Sequence, residues 1–435
     1  MKRNSTARRG LIGALLAGGS ALTIASSALA GGFAVREQST QFLGTAFAGS
    51  AAGMGLSSMF WNPATITDFK SGLWSESNAA LILPNSEITA LPGSTLCPGL
   101  PCESGDIGKD ALVPASYYAY ALSPNLVLGL AMNSPFGLVT EPSNRFWAGQ
   151  THTRTSDIKT FNLNPNVAYR IAPGLSVGVG VQIEWISGRL KNAVGIAPTS
   201  ANAALTAEDV AIGFTAGVLW KPAAWTAIGL GFRSSIDHNL EGELFLAGIP
   251  LNPAGVQANL KTPEVVTLSV RQGITPTLTG LFTVEWTNWS RVQSLDVYCT
   301  SVQAAVGCVA PGVLVNSLPL NWHDGWFISG GLEWLANEKL TLRGGLAWER
   351  SPIQNPSERT PRVPDNDRIW AALGLTYKVT QNMSVDLAYS HIWIDDGQID
   401  RTASGIRLFA DVDSSVDIFS VALKTKLWGG EEPLK

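Results

Sequence analysis

From about residue 70 onward, apolar and polar positions alternate along the chain with a period of two. Leu175, Val177, Val179, Val181, Ile183 and Trp185 are all apolar. Between them stand Ser176, Gly178, Gly180, Gln182, Glu184 and Ile186, nearly all small or polar. A period of two places successive side chains on opposite faces of a strand, so this stretch has one greasy face and one wet face. The pattern returns in Ile369–Val379, in Leu278–Trp286 and in Val385–Trp393. The wet face carries Glu184, Glu285, Glu333, Arg343, Lys378 and Asp386, which read as paired charges of a hydrated interior.

The connections fall into two kinds. Short ones are built of turn formers: "LSPN" (122–125), "IAPG" (171–174), "WKPAA" (220–224), "GITPT" (273–277), "LANEK" (335–339) and "KVTQN" (378–382). Long irregular ones lie near 84–110, 138–157, 191–208, 238–262, 291–321, 352–364 and 396–413. Short and long alternate strictly, which predicts about fourteen antiparallel strands with short turns at one rim and long loops at the other, as in bacterial outer-membrane barrels. Trp185, Trp286, Trp393 and Trp428 end greasy faces, as an interfacial girdle would. A soluble β-sandwich also alternates, but it has no reason to sort its loops by length. The fold predicted is therefore an all-β transmembrane barrel over 70–428, with 429–435 as a short periplasmic tail.

The N-terminus supplies the compartment. "MKRNSTARRG" is basic, "LIGALLAGGSALTIASS" is apolar and small, and "ALA" precedes "GG". This is the layout of a signal peptide over 1–30, cut after Ala30. Beyond it no apolar run is long enough for a membrane helix. Only 15% of residues are charged and the net charge is −4, which gives no electrostatic case for nucleic acid. In an exported chain the neighbours Cys97 and Cys102, and Cys299 and Cys308, are expected to form disulfides within loops. No histidine accompanies either pair, so metal binding is not expected. No G-x-S-x-G and no H-E-x-x-H occurs, the four histidines are scattered singly, and no enzyme activity and no cofactor are expected.

Residues 31–69 lack the period of two and are rich in Ala, Gly and Ser. Yet Phe33, Phe42, Leu43, Phe47, Phe60 and Trp61 are too apolar for a solvated leader. Loose backbone cannot lie in lipid, so short helices and turns folded inside the lumen are expected. Here the chain resembles the FadL family of outer-membrane transporters of long-chain fatty acids and other hydrophobic compounds. The resemblance is carried by "GGFAVREQST" (31–40), "NPA" (Asn62, Pro63, Ala64), "FGLVT" (136–140), "NLNPNVAYRIAPGLSVGVGV" (162–181), "LTLRGGLAWERSPI" (340–353) and "PRVPDNDRIWAALGLTYKVTQNMSVDLAYSHI" (361–392). It implies a monomeric fourteen-stranded barrel plugged by an N-terminal hatch. It also implies a hydrophobic groove among outer loops, a deeper site touched by the extreme N-terminus, and sideways exit through a kink in the third strand.

That kink directs attention to Asn133, Ser134, Pro135, Phe136 and Gly137. Proline gives no N–H to a ladder, and the residues around it are weak strand formers. A broken ladder in lipid must be covered by protein or line a gap; the alternative is that Pro135 merely ends the strand at the outer rim. The resemblance favours the kink. For gating and ligand contact the expected residues are Gly31, Gly32, Phe33 and Phe47, with Arg189 and His323 as candidate cations for a carboxylate. Arg36 and Arg368 read as structural, paired with acids such as Asp365 or Asp367. The function expected is uptake of hydrophobic molecules, most simply long-chain fatty acids. Aromatic hydrocarbons by the same route are the alternative, and a surface-structural or adhesive barrel is a second. The expected partners are that ligand and outer-membrane lipid with its lipopolysaccharide.

Overall fold

The computed structural model describes residues 31–97, 99–247 and 252–429; the expected signal peptide and all of the expected tail but Gly429 lie outside them. The wall has fourteen strands. The first six are Leu73–Ala90, Ala111–Ala121, a third in two pieces (Leu126–Asn133 and Gly137–Thr140), Thr155–Ala172, Leu175–Ala193 and Asn202–Ala223. The seventh (Thr226–Arg233, Ile236–Ala247) and eighth (Ala254–Thr262, Val265–Gly273) are also divided. Leu278–Thr287, Gly325–Leu335, Leu340–Arg350, Arg368–Thr380, Met383–Ala403 and Ile406–Trp428 complete it. Every neighbour is antiparallel, and the last strand pairs with the first from Leu73 opposite Trp428 to Ala90 opposite Ala410. Closure of the last strand on the first removes the two edges an open sheet would expose to lipid. No helix among the described residues is long and apolar enough to cross a membrane.

The greasy face points outward. Val179, Val181 and Ile183 are exposed, while Ser176, Gln182 and Glu184 are buried in the lumen. The six short turns fall where the turn formers stand. Three expected long loops do not: 291–321 holds a hairpin of its own, Ser294–Cys299 with Leu314–Pro319, which pairs with the eighth strand, and the others are 238–262 and 396–413. Within 238–262 and 396–413 the strands continue past the membrane as protruding hairpins. Their outward positions there are polar (Asp237, Glu241, Lys261, Asp411), so the greasy-outside alternation that marks a lipid-facing strand is lost although the ladder persists. Disulfides Cys97–Cys102 and Cys299–Cys308 each close one outer loop, with Cα atoms 5.4 and 5.6 Å apart.

Residues 31–69 fill the barrel as short helices and turns: Thr40–Leu43, Ser50–Ala52, Leu56–Phe60 and Pro63–Asp68. Almost every residue in them is buried. Asn62 explains the "NPA" motif. Its side-chain oxygen caps Ala64 N–H at 3.0 Å, its amide donates to the carbonyls of Ala51 (2.8 Å) and Val218 (2.9 Å), and Pro63 takes the first helical position. One polar residue thus ends a loop, starts a helix and ties both to the wall. The hatch lies flush against the strands: a Cβ at Gly345 would run into the Thr45 carbonyl oxygen. Along the inner face of the wall from the eighth strand to the fourteenth run the ion pairs Arg271–Glu333 (3.0 Å), Arg343–Glu333 (2.7 Å) and Lys424–Asp386 (2.8 Å).

Candidate functional site: a wall gap sealed by the N-terminal segment

The third strand pairs with the second only as far as Met132 opposite Ser116. Ala111–Ala115 of the second strand therefore keep a partner in the first strand and have none in the third. On its other side the third strand pairs with the fourth through Asn133 opposite Asn162, and then again from Gly137 opposite Lys159. Three residues, Ser134–Phe136, face two, so the break is also a bulge. Thr160 bridges it, its hydroxyl accepting from Phe136 N–H (3.0 Å) and donating to Phe136 C=O (2.6 Å).

Residues 33–38, a finger ahead of the first short helix, fill the place of the missing neighbour. Ala34 forms an antiparallel bridge with Phe136; Val35 N–H donates to Pro135 C=O at 2.8 Å and Gly137 N–H to Phe33 C=O at 2.9 Å. In this register Val35 and Pro135 face each other as a hydrogen-bonded pair, and the proline has no N–H for Val35 C=O. The Gln38 side chain substitutes for it. Its amide donates to Val35 C=O (3.1 Å) and Ser134 C=O (2.8 Å), and its oxygen accepts from Ser134 N–H (3.3 Å). The gap is a real interruption of the wall, closed by protein rather than by lipid. Pro135 is buried within it and does not end the strand at the rim.

Aromatic rings surround the finger's tip. The Phe33 ring lies 5.7 Å from Phe136, 4.9 Å from Trp289 and 5.6 Å from Trp322, mostly edge to face. Gly32 sits in the left-handed region (φ 67°), where a side chain would be strained and would press on both tryptophans. Its N–H donates to Asp365 at 2.8 Å. Arg36 anchors the finger to the opposite wall through Glu285 and Glu349 (3.1 Å) and lies over the Phe327 ring. Arg368 is paired with Asp365, as its sequence context suggested. Asn133 and Asn164 are buried near the gap with both side-chain amide atoms unpartnered by protein. Phe47 is elsewhere: held at φ 61°, it packs on Trp61, Phe327 and Trp370 in the body of the hatch, with ring centroids 5.7–6.2 Å away.

Above the gap, the outer loops enclose a cavity of ≈ 550 Å³. Leu190, Leu205, Leu244, Leu295, Val315 and Leu318 line it, and these side chains join the Phe33–Trp289–Trp322 group in one apolar cluster, except Leu190. Its polar end carries His152, Arg362 and Arg401. Arg362 donates to Thr155 C=O (3.0 Å), Lys191 C=O (3.4 Å) and the hydroxyls of Thr153 and Ser156. Arg401 donates to the carbonyls of Ser357, Glu358 and Pro319. Among the described residues neither arginine forms an ion pair with a carboxylate. Burial, followed by the charges of Arg401 and Arg362, pushes His152 down to about 4, against the pull of its contact with Ile406 C=O.

The two cations expected from the sequence stand outside this arrangement. Arg189 is exposed, and it is the next residue, Leu190, that turns into the cavity. His323 is exposed and contacts Glu358 at 3.2 Å, while its neighbour Trp322 enters the cage. Strand parity decides the first case; His323 stands in the loop just ahead of the tenth strand, which begins at Gly325. Arg362 lies inside the quoted "PRVPDNDR" block, but nothing local in that sequence tells which of its arginines meets a cavity.

Over residues 21–427 the chain matches the family described as outer membrane protein transport protein (OMPP1/FadL/TodX). It is 27% identical to outer membrane protein P1 of Haemophilus influenzae, over 85% of this chain and 88% of that one. It is 26% identical to the long-chain fatty acid transport protein of Escherichia coli O6:H1, with the same coverage. Among solved structures, a Pseudomonas aeruginosa FadL homologue superposes with a TM-score of 0.80 at 22% identity, covering 91% of this chain and all of that one. The Pseudomonas putida toluene transporter TodX superposes at 0.67 with 16% identity, over 89% and 98%.

Proposed function

The chain belongs to the OMPP1/FadL/TodX family of outer-membrane transport proteins for hydrophobic compounds, and from that premise we propose that its substrates are long-chain fatty acids. The observation that carries this reading is the outer cavity, which joins a leucine- and valine-lined part to a polar part that holds Arg362 and Arg401, with no carboxylate paired to either among the described residues. A buried guanidinium without an anion is costly and is best matched by a carboxylate, which it can bind through two parallel N–H donors. An alkyl tail would lie along Leu205, Leu244 and Leu295. The route then runs from this cavity to the Phe33–Trp289–Trp322 cage, where ligand displaces the finger, and out sideways between the second and third strands once Ala34 leaves Phe136. The hatch, almost wholly buried across residues 31–69, opposes passage straight down the lumen.

A monoaromatic substrate is the second reading, favoured by the edge-to-face cage itself, which suits a small ring. The two separate by experiment. Purified protein is titrated with labelled oleate and with toluene, beside Arg362→Gln and Arg401→Gln. Fatty-acid transport requires oleate affinity to fall in both variants while any toluene binding stays unchanged. Toluene binding without oleate binding would reverse the assignment.

A further inference from the structure

Four acidic side chains and two guanidinium groups meet at the base of the finger, with a third guanidinium, Arg233, acting on one of the acids, Glu285, from farther off. Glu285 and Glu349 share Arg36, and Asp365 is paired with Arg368, whose Nε also lies 3.7 Å from Glu349. The fourth acid, Glu37, is 2% exposed and its Oε2 has no partner in the described protein. Without a further cation, burial pushes the Glu37 carboxyl up to about 7. The neighbouring acid Asp367 does not belong to the group, since it accepts from the Ser351 N–H. The cluster is therefore short of positive charge in a place where unpaired charge is expensive.

Gly31 stands beside it. A Cβ built on Gly31 would be 2.7 Å from Glu349 Oε1, so bond geometry puts the Gly31 nitrogen no more than about 5 Å from that oxygen. The next N–H, of Gly32, already donates to Asp365. We propose that the free α-ammonium group of the mature chain, on Gly31, is the missing cation, held by Glu349 and Glu37. Hydrolysis of the Ala30–Gly31 peptide bond by a signal peptidase consumes one water, leaves a carboxylate on Ala30 and creates the protonated amine on Gly31. Removal of the signal peptide thus completes the charge balance that seats the finger in the wall gap. A chain still carrying residue 30 has an uncharged amide at this point and seats the finger less firmly. The absence of a side chain at Gly31 fits the role, because the amine must reach Glu349 at close range.

This inference rests on the reading of residues 33–38 as the gate, and its test does not depend on uptake. Mature protein isolated from outer membranes is first sequenced from its N-terminus, which should be Gly31. Acylation of the α-amine by an amine-specific reagent is then followed against pH in the folded barrel and in the unfolded chain. At pH 7.5 the folded amine should react at least about tenfold more slowly, with an apparent pKa above the ordinary value of about 8. Glu349→Gln and, separately, Glu37→Gln should bring that pKa back toward the ordinary value. Simple burial would slow the reaction without moving its pH profile in these variants. A mature N-terminus other than Gly31, or an α-amine with an ordinary profile in the folded protein, would overturn the proposal. Protected amine together with uptake indifferent to the finger would refute the gate and leave this assignment standing.

Discussion

Replacing Pro135 with valine should tighten the gate rather than mend the wall. In the finger's register Pro135 faces Val35, and Val35 N–H already donates to Pro135 C=O at 2.8 Å. Valine adds the reciprocal donor, aimed at Val35 C=O. That oxygen now accepts only the Gln38 amide at 3.1 Å, and a carbonyl oxygen can take a second bond. The second strand gains nothing, because its Ala111–Ala115 segment has no partner in the third strand with or without the proline. One additional backbone hydrogen bond contributes about 0.5–1.5 kcal/mol, which lowers the population of the released finger by roughly two- to twelvefold. If finger release limits delivery, uptake of a fluorescent fatty acid by whole cells should fall by the same factor. Binding of that ligand to the purified protein's outer cavity should not change, and the Val35 amide should exchange its proton more slowly. Slower amide exchange with undiminished uptake would show that the finger does not gate the route. Unchanged exchange would show that the 35/135 pair is not formed as described.

The opposite change is Gln38→Met, which keeps the length of the side chain and removes three hydrogen bonds at the gap. It should loosen the finger by roughly 2–4 kcal/mol and raise fatty-acid delivery, with amide exchange at Val35 as the check. Gly345→Val drives a side chain into the Thr45 carbonyl. It should lower the temperature at which the barrel unfolds on a gel, by overpacking worth about 1–3 kcal/mol, with the Gly330→Val change, which meets nothing within 4 Å, as control. For pH, the His152 imidazole sits near 4 when folded and near its ordinary 6.5 when unfolded. Its contribution to stability is therefore complete above pH 6.5 and is lost as pH falls from 6.5 toward 4. The difference in thermal stability between parent and His152→Gln should change across that window and nowhere else; a constant difference would place the imidazole in solvent.

The period of two and the alternation of short and long connections determined the barrel, its orientation and its strand number, because a closed sheet in lipid must show one apolar and one polar face along every strand. The hatch was legible as interior matter too, since its phenylalanines and tryptophan have no other dry place to go. The sequence also marked Pro135 as a break, from the chemistry of a single residue. What covers that break was not legible. The pairing of Ala34 with Phe136 joins residues about a hundred positions apart, and nothing in either stretch names the other. The cations were not legible either. Arg189 and His323 each miss an interior by one residue, and Arg362 and Arg401 reach a common cavity only because separate outer loops and strand extensions converge there. Strand periodicity is a local property written along the chain; which side chains share a pocket depends on closure of the whole sheet, and only the tertiary structure decides it.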